Sequence, residues 1–89
     1  MRITIEISMY PLREEYEPAI IEFINELKSV DGLSIRVNPT ATHIFGEYDV
    51  IFDSLKSCIR HSFEKYGKAV FVLKVLNGDL EKSLEGSDL

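Results

Sequence analysis

One cysteine, few basic residues and no long apolar run limit this chain before its patterns are read. Cys58 stands alone, which excludes an intrachain disulfide and any multi-cysteine zinc site. Lys and Arg number 10 against 15 Asp and Glu, for a formal charge of −5 and a sequence pI of about 4.9. Nucleic-acid binding needs clustered Lys and Arg and is not expected here. No apolar run approaches the roughly 18–20 residues that cross a bilayer, and no basic segment precedes an apolar one as in a signal peptide. The cytoplasm is the expected compartment, and no membrane partner is expected. A Gly-rich phosphate loop is missing. The Ser, His and acidic residues form no obvious triad, and no strand carries the basic and aromatic pattern of an RNA-recognition sheet. The expectation is a protein without a catalytic set.

What is present is enough for one folded domain. At 89 residues the chain has room for a single core, and 45% of it is apolar. A domain this size buries only about 60–65% of the surface its unfolded chain exposes, so association with a second copy would add stability. Residues 2–9 alternate, with Ile3, Ile5, Ile7 and Met9 against Thr4, Glu6 and Ser8, the period of a half-buried strand. From Pro18 to Val30 the spacing becomes helical through Ile20, Phe23, Ile24, Leu27 and Val30. Pro18 suits the first turn, and Asp31-Gly32 offers a left-handed stop. Leu33, Ile35 and Val37 alternate in a second strand, and Asn38-Pro39 begins a turn. A third strand covers 41–47 with a break at Gly46. Asp49 is placed to cap a second helix bearing Phe52, Leu55, Ile59, Phe63 and Tyr66 on one face, ended by Gly67. Cys58, on the apolar side of that helix, is expected to be a small buried residue. Residues 69–76 are apolar at nearly every position and read as a strand covered on both faces.

The order β-α-β-β-α-β predicts an α+β, ferredoxin-like fold: a four-stranded antiparallel sheet in order 4-1-3-2 with both helices on one face. The domain spans 1–79, and 80–89 form a polar tail expected to be mobile. The second sheet face carries apolar side chains from strand 4 and polar ones from strand 1, which reads as an interface of a homodimer or homotetramer, or else as a ligand platform. The topology also brings the end of strand 1 beside the start of strand 3. Ser8 and Tyr10 then approach Thr40, Thr42 and His43, near the start of the first helix. Hydroxyls, an imidazole and an aromatic ring beside an apolar sheet fit a small heteroaromatic ligand. Bland alternatives exist for each. Ser and Thr beside a turn bond to local backbone, Tyr10 can plug the end of the core, and a lone His on a strand is more often a surface residue than a metal ligand. If Val37 pairs with Thr42, then Thr42 faces the helices and His43 the open side with Arg36; an odd-length turn reverses both. His61 is expected on the exposed side of the second helix. Glu14, Glu15 and Glu17 read as helix-start charges.

The segments Ser8-Met9-Tyr10-Pro11-Leu12, Thr40-Ala41-Thr42, Phe45-Gly46-Glu47-Tyr48-Asp49 and Asn77-Gly78-Asp79 resemble the YkoF-like thiamine/hydroxymethylpyrimidine-binding family over about residues 3–79. The resemblance implies a ferredoxin-like fold, binding of thiamine or its pyrimidine moiety without turnover, and assembly through sheet packing. It carries Ser8, Tyr10 and Thr42 over as ligand contacts, with Thr40 and His43 as neighbours inferred from geometry. No metal is expected, and no cofactor apart from thiamine or a pyrimidine precursor as ligand. Two rivals remain: an interaction oligomer without a small-molecule ligand, and a cofactor-free enzyme on a dimeric ferredoxin-like scaffold.

Overall fold

The computed structural model describes residues 1–81. Its elements are β1 (Arg2–Pro11), α1 (Glu17–Lys28), β2 (Ser34–Val37), β3 (Thr42–Glu47), α2 (Tyr48–Tyr66) and β4 (Ala69–Asn77). The strands form one antiparallel sheet in order β2-β3-β1-β4, the ferredoxin-like arrangement expected from the pattern. Alternation in β1 turns Ile3, Ile5 and Ile7 toward the helices. There they join Phe23 and Leu27 of α1, Ile44 of β3 and Ile51, Leu55 and Cys58 of α2 in one buried cluster. These β-branched residues suit a pleated strand with one covered face.

Several boundaries differ from the sequence reading. α1 ends at Lys28 with Ser29 as its C-cap, and the Ser29 hydroxyl donates to the Glu26 carbonyl at 2.6 Å. Gly32 does take a left-handed backbone, with φ +88°, but it does so in the turn into β2 rather than at the helix end. Gly46 does not break β3. It is paired with Ile3 inside the strand. A Cβ there would lie 2.8 Å from Leu33 Cδ2 and 3.2 Å from the Gly32 carbonyl oxygen, so close approach of the preceding turn explains the glycine.

Asp49 lies in the first turn of α2, and the N-cap position belongs to Glu47, which makes no side-chain cap. The Tyr48 N–H, otherwise an orphan of the helix start, donates to the Met1 carbonyl at 2.8 Å, so that donor needs no side chain. The buried face of α2 is Ile51, Leu55, Cys58 and Ser62; Phe52 and Ile59 are half-buried beside it, and Phe63 is largely exposed.

β4 departs most from expectation. It pairs only with β1 and forms one edge of the sheet. Phe71 is held by Phe23 and Phe63, with ring centroids 5.0 and 5.6 Å away. Val70, Val72, Leu73, Val75 and Leu76 are all about half exposed, so among the described residues β4 beyond Phe71 is only partly covered on either face. The opposite sheet face is partly covered by the chain itself. Arg2 reaches Asp79 at 2.7 Å, the Leu80 N–H donates to the Thr4 hydroxyl at 2.9 Å, and Ser34 and Arg36 both reach Glu81. These contacts hold residues 79–81 against the sheet. The expectation of a mobile tail otherwise falls on residues 82–89, outside the described residues.

Candidate functional site

The pairing of Val37 with Thr42 settles the register left open by the sequence. Residues 38–41 make the turn, closed by a bond from the Asn38 N–H to the Ala41 carbonyl at 2.9 Å. Thr42, paired with Ile7 on its other side, therefore shares the helix-facing side, and His43 lies opposite with Glu6 and Arg36.

At this end of the sheet a cleft of about 580 Å³ opens between three walls. The end of β1 supplies Ile7 to Pro11, the β2–β3 turn supplies Val37 to Thr42, and α1 with its preceding residue supplies Tyr16, Ile20, Phe23 and Ile24. Its size is that of a small-molecule site, and its surface is mainly apolar. Ile20 and Ile24 are only half-buried because they face this opening rather than the packed core.

Four of the five residues singled out from the sequence meet here: Ser8, Tyr10, Thr40 and Thr42 all line the cleft. Their chemical states differ. The Ser8 hydroxyl donates to the Thr40 carbonyl at 2.9 Å, tying β1 to the turn; its lone pairs still accept. Thr42 is buried, with 6% of its surface exposed, and its hydroxyl makes no hydrogen bond. Among the described residues no fully buried side-chain oxygen or nitrogen lacks a partner, so this hydroxyl must open onto the cleft. Tyr10 does not plug the core; half of it is exposed.

His43 is not part of the cleft lining. The Asn38 amide donates to its Nδ1 at 2.9 Å, and its Nε2 lies 3.3 Å from Glu6, which in turn approaches Lys74 at 3.6 Å. A neutral ring protonated on Nε2 satisfies both contacts. This network occupies the far sheet face. The lining residues that sequence reasoning missed are Ile7, Tyr16, Ile20, Phe23, Ile24 and Val37. All but one are apolar residues that periodicity assigns to the core, and Tyr16 carried no signal at all.

Among the described residues one cluster could hold a metal ion. Ligand atoms of Glu22, Glu26 and His61 lie within 4.8 Å of one another across the α1–α2 interface. In this structure they form an interhelical clasp. Lys65 pairs with Glu22 at 2.6 Å, and His61 pairs with Glu26. The Lys65 hydrogen bond lowers the Glu22 carboxyl below its usual range, and the Glu22 carboxylate raises Lys65. Lys65 is exposed and Glu22 half-buried at the surface, so solvent screening leaves the pair little weight in stability. His61 is exposed, as its place on the helix predicts. Among the described residues no helix is long and apolar enough to cross a membrane.

Comparison with known proteins follows the same lines. The model of the YKOF-related family matches residues 2–76. A Thermotoga maritima protein provisionally assigned to thiamine biosynthesis or salvage superposes with a TM-score of 0.84 at 22% identity, covering 97% of this chain and 98% of its own. A Streptococcus pneumoniae protein superposes with a TM-score of 0.83 at 21% identity, covering 96% and 99%. A hypothetical protein from Methanocaldococcus jannascii gives 0.81 at 21% identity, covering 96% and 94%. At these identities the superpositions establish the shared fold. A search of curated proteins gives no significant sequence match.

Proposed function

Because the chain belongs to the YKOF-related family, we propose that it binds thiamine or its hydroxymethylpyrimidine moiety in the β1–turn–α1 cleft without turning it over. The observation that carries this reading is the Thr42 hydroxyl, unpaired in a mainly apolar cleft of small-molecule size. An aminopyrimidine presents an amino donor and ring-nitrogen acceptors along one edge, and a hydroxyl can answer either. The tyrosines and aliphatic side chains of the walls supply flat apolar surface for the ring. The fold shared with a provisionally assigned thiamine salvage protein points the same way. No nucleophile with a base beside it lines the cleft, so the role fits carriage, sensing or assisted salvage in the cytoplasm rather than catalysis.

The same reading includes self-association. The edge strand β4, with five half-exposed Val and Leu side chains, is the surface a second copy would cover, as homodimer or homotetramer.

Calorimetric titration with thiamine and with hydroxymethylpyrimidine tests the reading. Saturable binding is expected, and Thr42→Val, which keeps the shape and deletes the hydroxyl, should weaken it by about 0.5–1.5 kcal/mol. Wild-type protein that takes up neither compound would show that the cleft serves another purpose.

A further inference from the structure

The charge pattern around the cleft carries an inference that rests on this reading and narrows the ligand. No Lys, Arg, His, Asp or Glu lines the cleft. A phosphate ester carries close to two negative charges, and its recognition needs cationic side chains or converging backbone N–H groups. The helix start nearest the cleft, that of α1, is the first place to look for such N–H groups. Pro18 in its first turn removes one donor. Glu17 lies in the first turn and Glu14 and Glu15 just before it, so negative charge already gathers at that helix start. Tyr16 joins the two regions. It lines the cleft and also a shallow recess shared with Glu14, Glu15 and Glu17, so the carboxylates begin one residue from the cleft wall.

Arg13 and Lys68 do not line the cleft or the recess that holds the carboxylates. Arg13 lies over the Tyr66 ring, 5.3 Å from its centroid. The Lys68 carbonyl accepts the Leu12 N–H. From these observations we infer that the cleft selects an uncharged heteroaromatic ring bearing a cationic, unphosphorylated arm, and rejects the phosphate esters of the same compound. The ring enters the neutral cleft; the arm projects toward the acidic rim.

Four ligands titrated into the full chain separate the outcomes: neutral hydroxymethylpyrimidine, thiamine, thiamine monophosphate and thiamine diphosphate. At low salt thiamine should bind on the order of tenfold more tightly than the monophosphate, with the diphosphate weaker still. Raising the salt should shrink that gap while leaving the neutral pyrimidine unchanged, because screening acts only on charge. The triple change Glu14→Gln, Glu15→Gln, Glu17→Gln should shrink it in the same way. Phosphate esters that bind as tightly as thiamine would overturn the selectivity and leave the cleft reading intact. A gap indifferent to salt would overturn the electrostatic rim even if the triple variant failed to fold. Failure of all four compounds to bind would remove the reading beneath it.

Discussion

Thr42 and Ser8 line one cleft, but their hydroxyls are not equivalent. Ser8 is committed to the Thr40 carbonyl, so Ser8→Ala loosens the turn as well as any ligand contact, whereas Thr42 has no partner to lose. This is why Thr42→Val is the cleaner probe of hydrogen bonding. Cys58 shows the opposite kind of residue, one with reactive chemistry suppressed by its place. Burial first, and then the charge of Glu26, push its thiol up to about 11. At neutral pH it stays protonated and shielded. A thiol reagent should label it rapidly only after denaturation, and fast labelling of the folded protein would reopen a redox role. The raised pKa also has a sign for stability. The unfolded thiol ionises near 9 and the folded one near 11, so the unfolded state releases its proton first. Stability should therefore be unaffected by this group below pH 9 and decline as pH rises from 9 toward 11. Cys58→Ala should flatten that decline in denaturation midpoints measured across the interval.

At the scale of elements, the strands and helices were legible wherever one face is buried and the other wet. β1 announces itself because Ile3, Ile5 and Ile7 alternate with Thr4, Glu6 and Ser8. The phase of α2 was harder. Phe52, Ile59 and Phe63 are the conspicuous apolar residues, yet the helix turns Ile51, Cys58 and Ser62 inward with Leu55. Small or polar side chains on a buried stripe carry little hydrophobic signal. Gly46 was misread for a related reason. Its role depends on the Gly32-Leu33 backbone lying across it, a contact between segments that no local pattern records. Gly46→Ala should cost about 1–3 kcal/mol, since Leu33 can give way but the Gly32 carbonyl has less freedom. An unchanged urea midpoint would show that the turn relaxes freely. The cleft was half legible for the same cause. Hydroxyls beside a turn stand out in a sequence, whereas Ile20 and Ile24 look like core until the opening beside them is seen.

On the scale of the whole molecule, the sheet is unevenly protected. Residues 79–81 fold over part of the far face, and Thr4, bonded to the Leu80 N–H, is only 5% exposed. Nothing in the chain performs that service for β4 among the described residues. Its apolar side chains were expected to be covered on both sides; among the described residues only Phe71 is held by the helices, and Val70, Val72, Leu73, Val75 and Leu76 stay about half exposed. Full burial of a Val or Leu stabilises by about 1.5–3 kcal/mol, and roughly half of that remains to be gained at each of these half-exposed positions. Light scattering at micromolar concentration should therefore give at least twice the 10.2 kDa chain mass, and Val75→Lys should shift the protein toward monomer. A wild-type monomer under those conditions would mean that β4 is guarded in some other way. The placement of the ligand can be examined independently of assembly. In a titration of ¹⁵N-labelled protein with hydroxymethylpyrimidine, followed by two-dimensional NMR, the largest amide shifts should fall at Ser8, Tyr10, Tyr16, Thr40 and Thr42, with His43 and β4 little changed. Shifts concentrated on β4 or on the Glu22–Glu26–His61 clasp, with the cleft silent, would contradict the account.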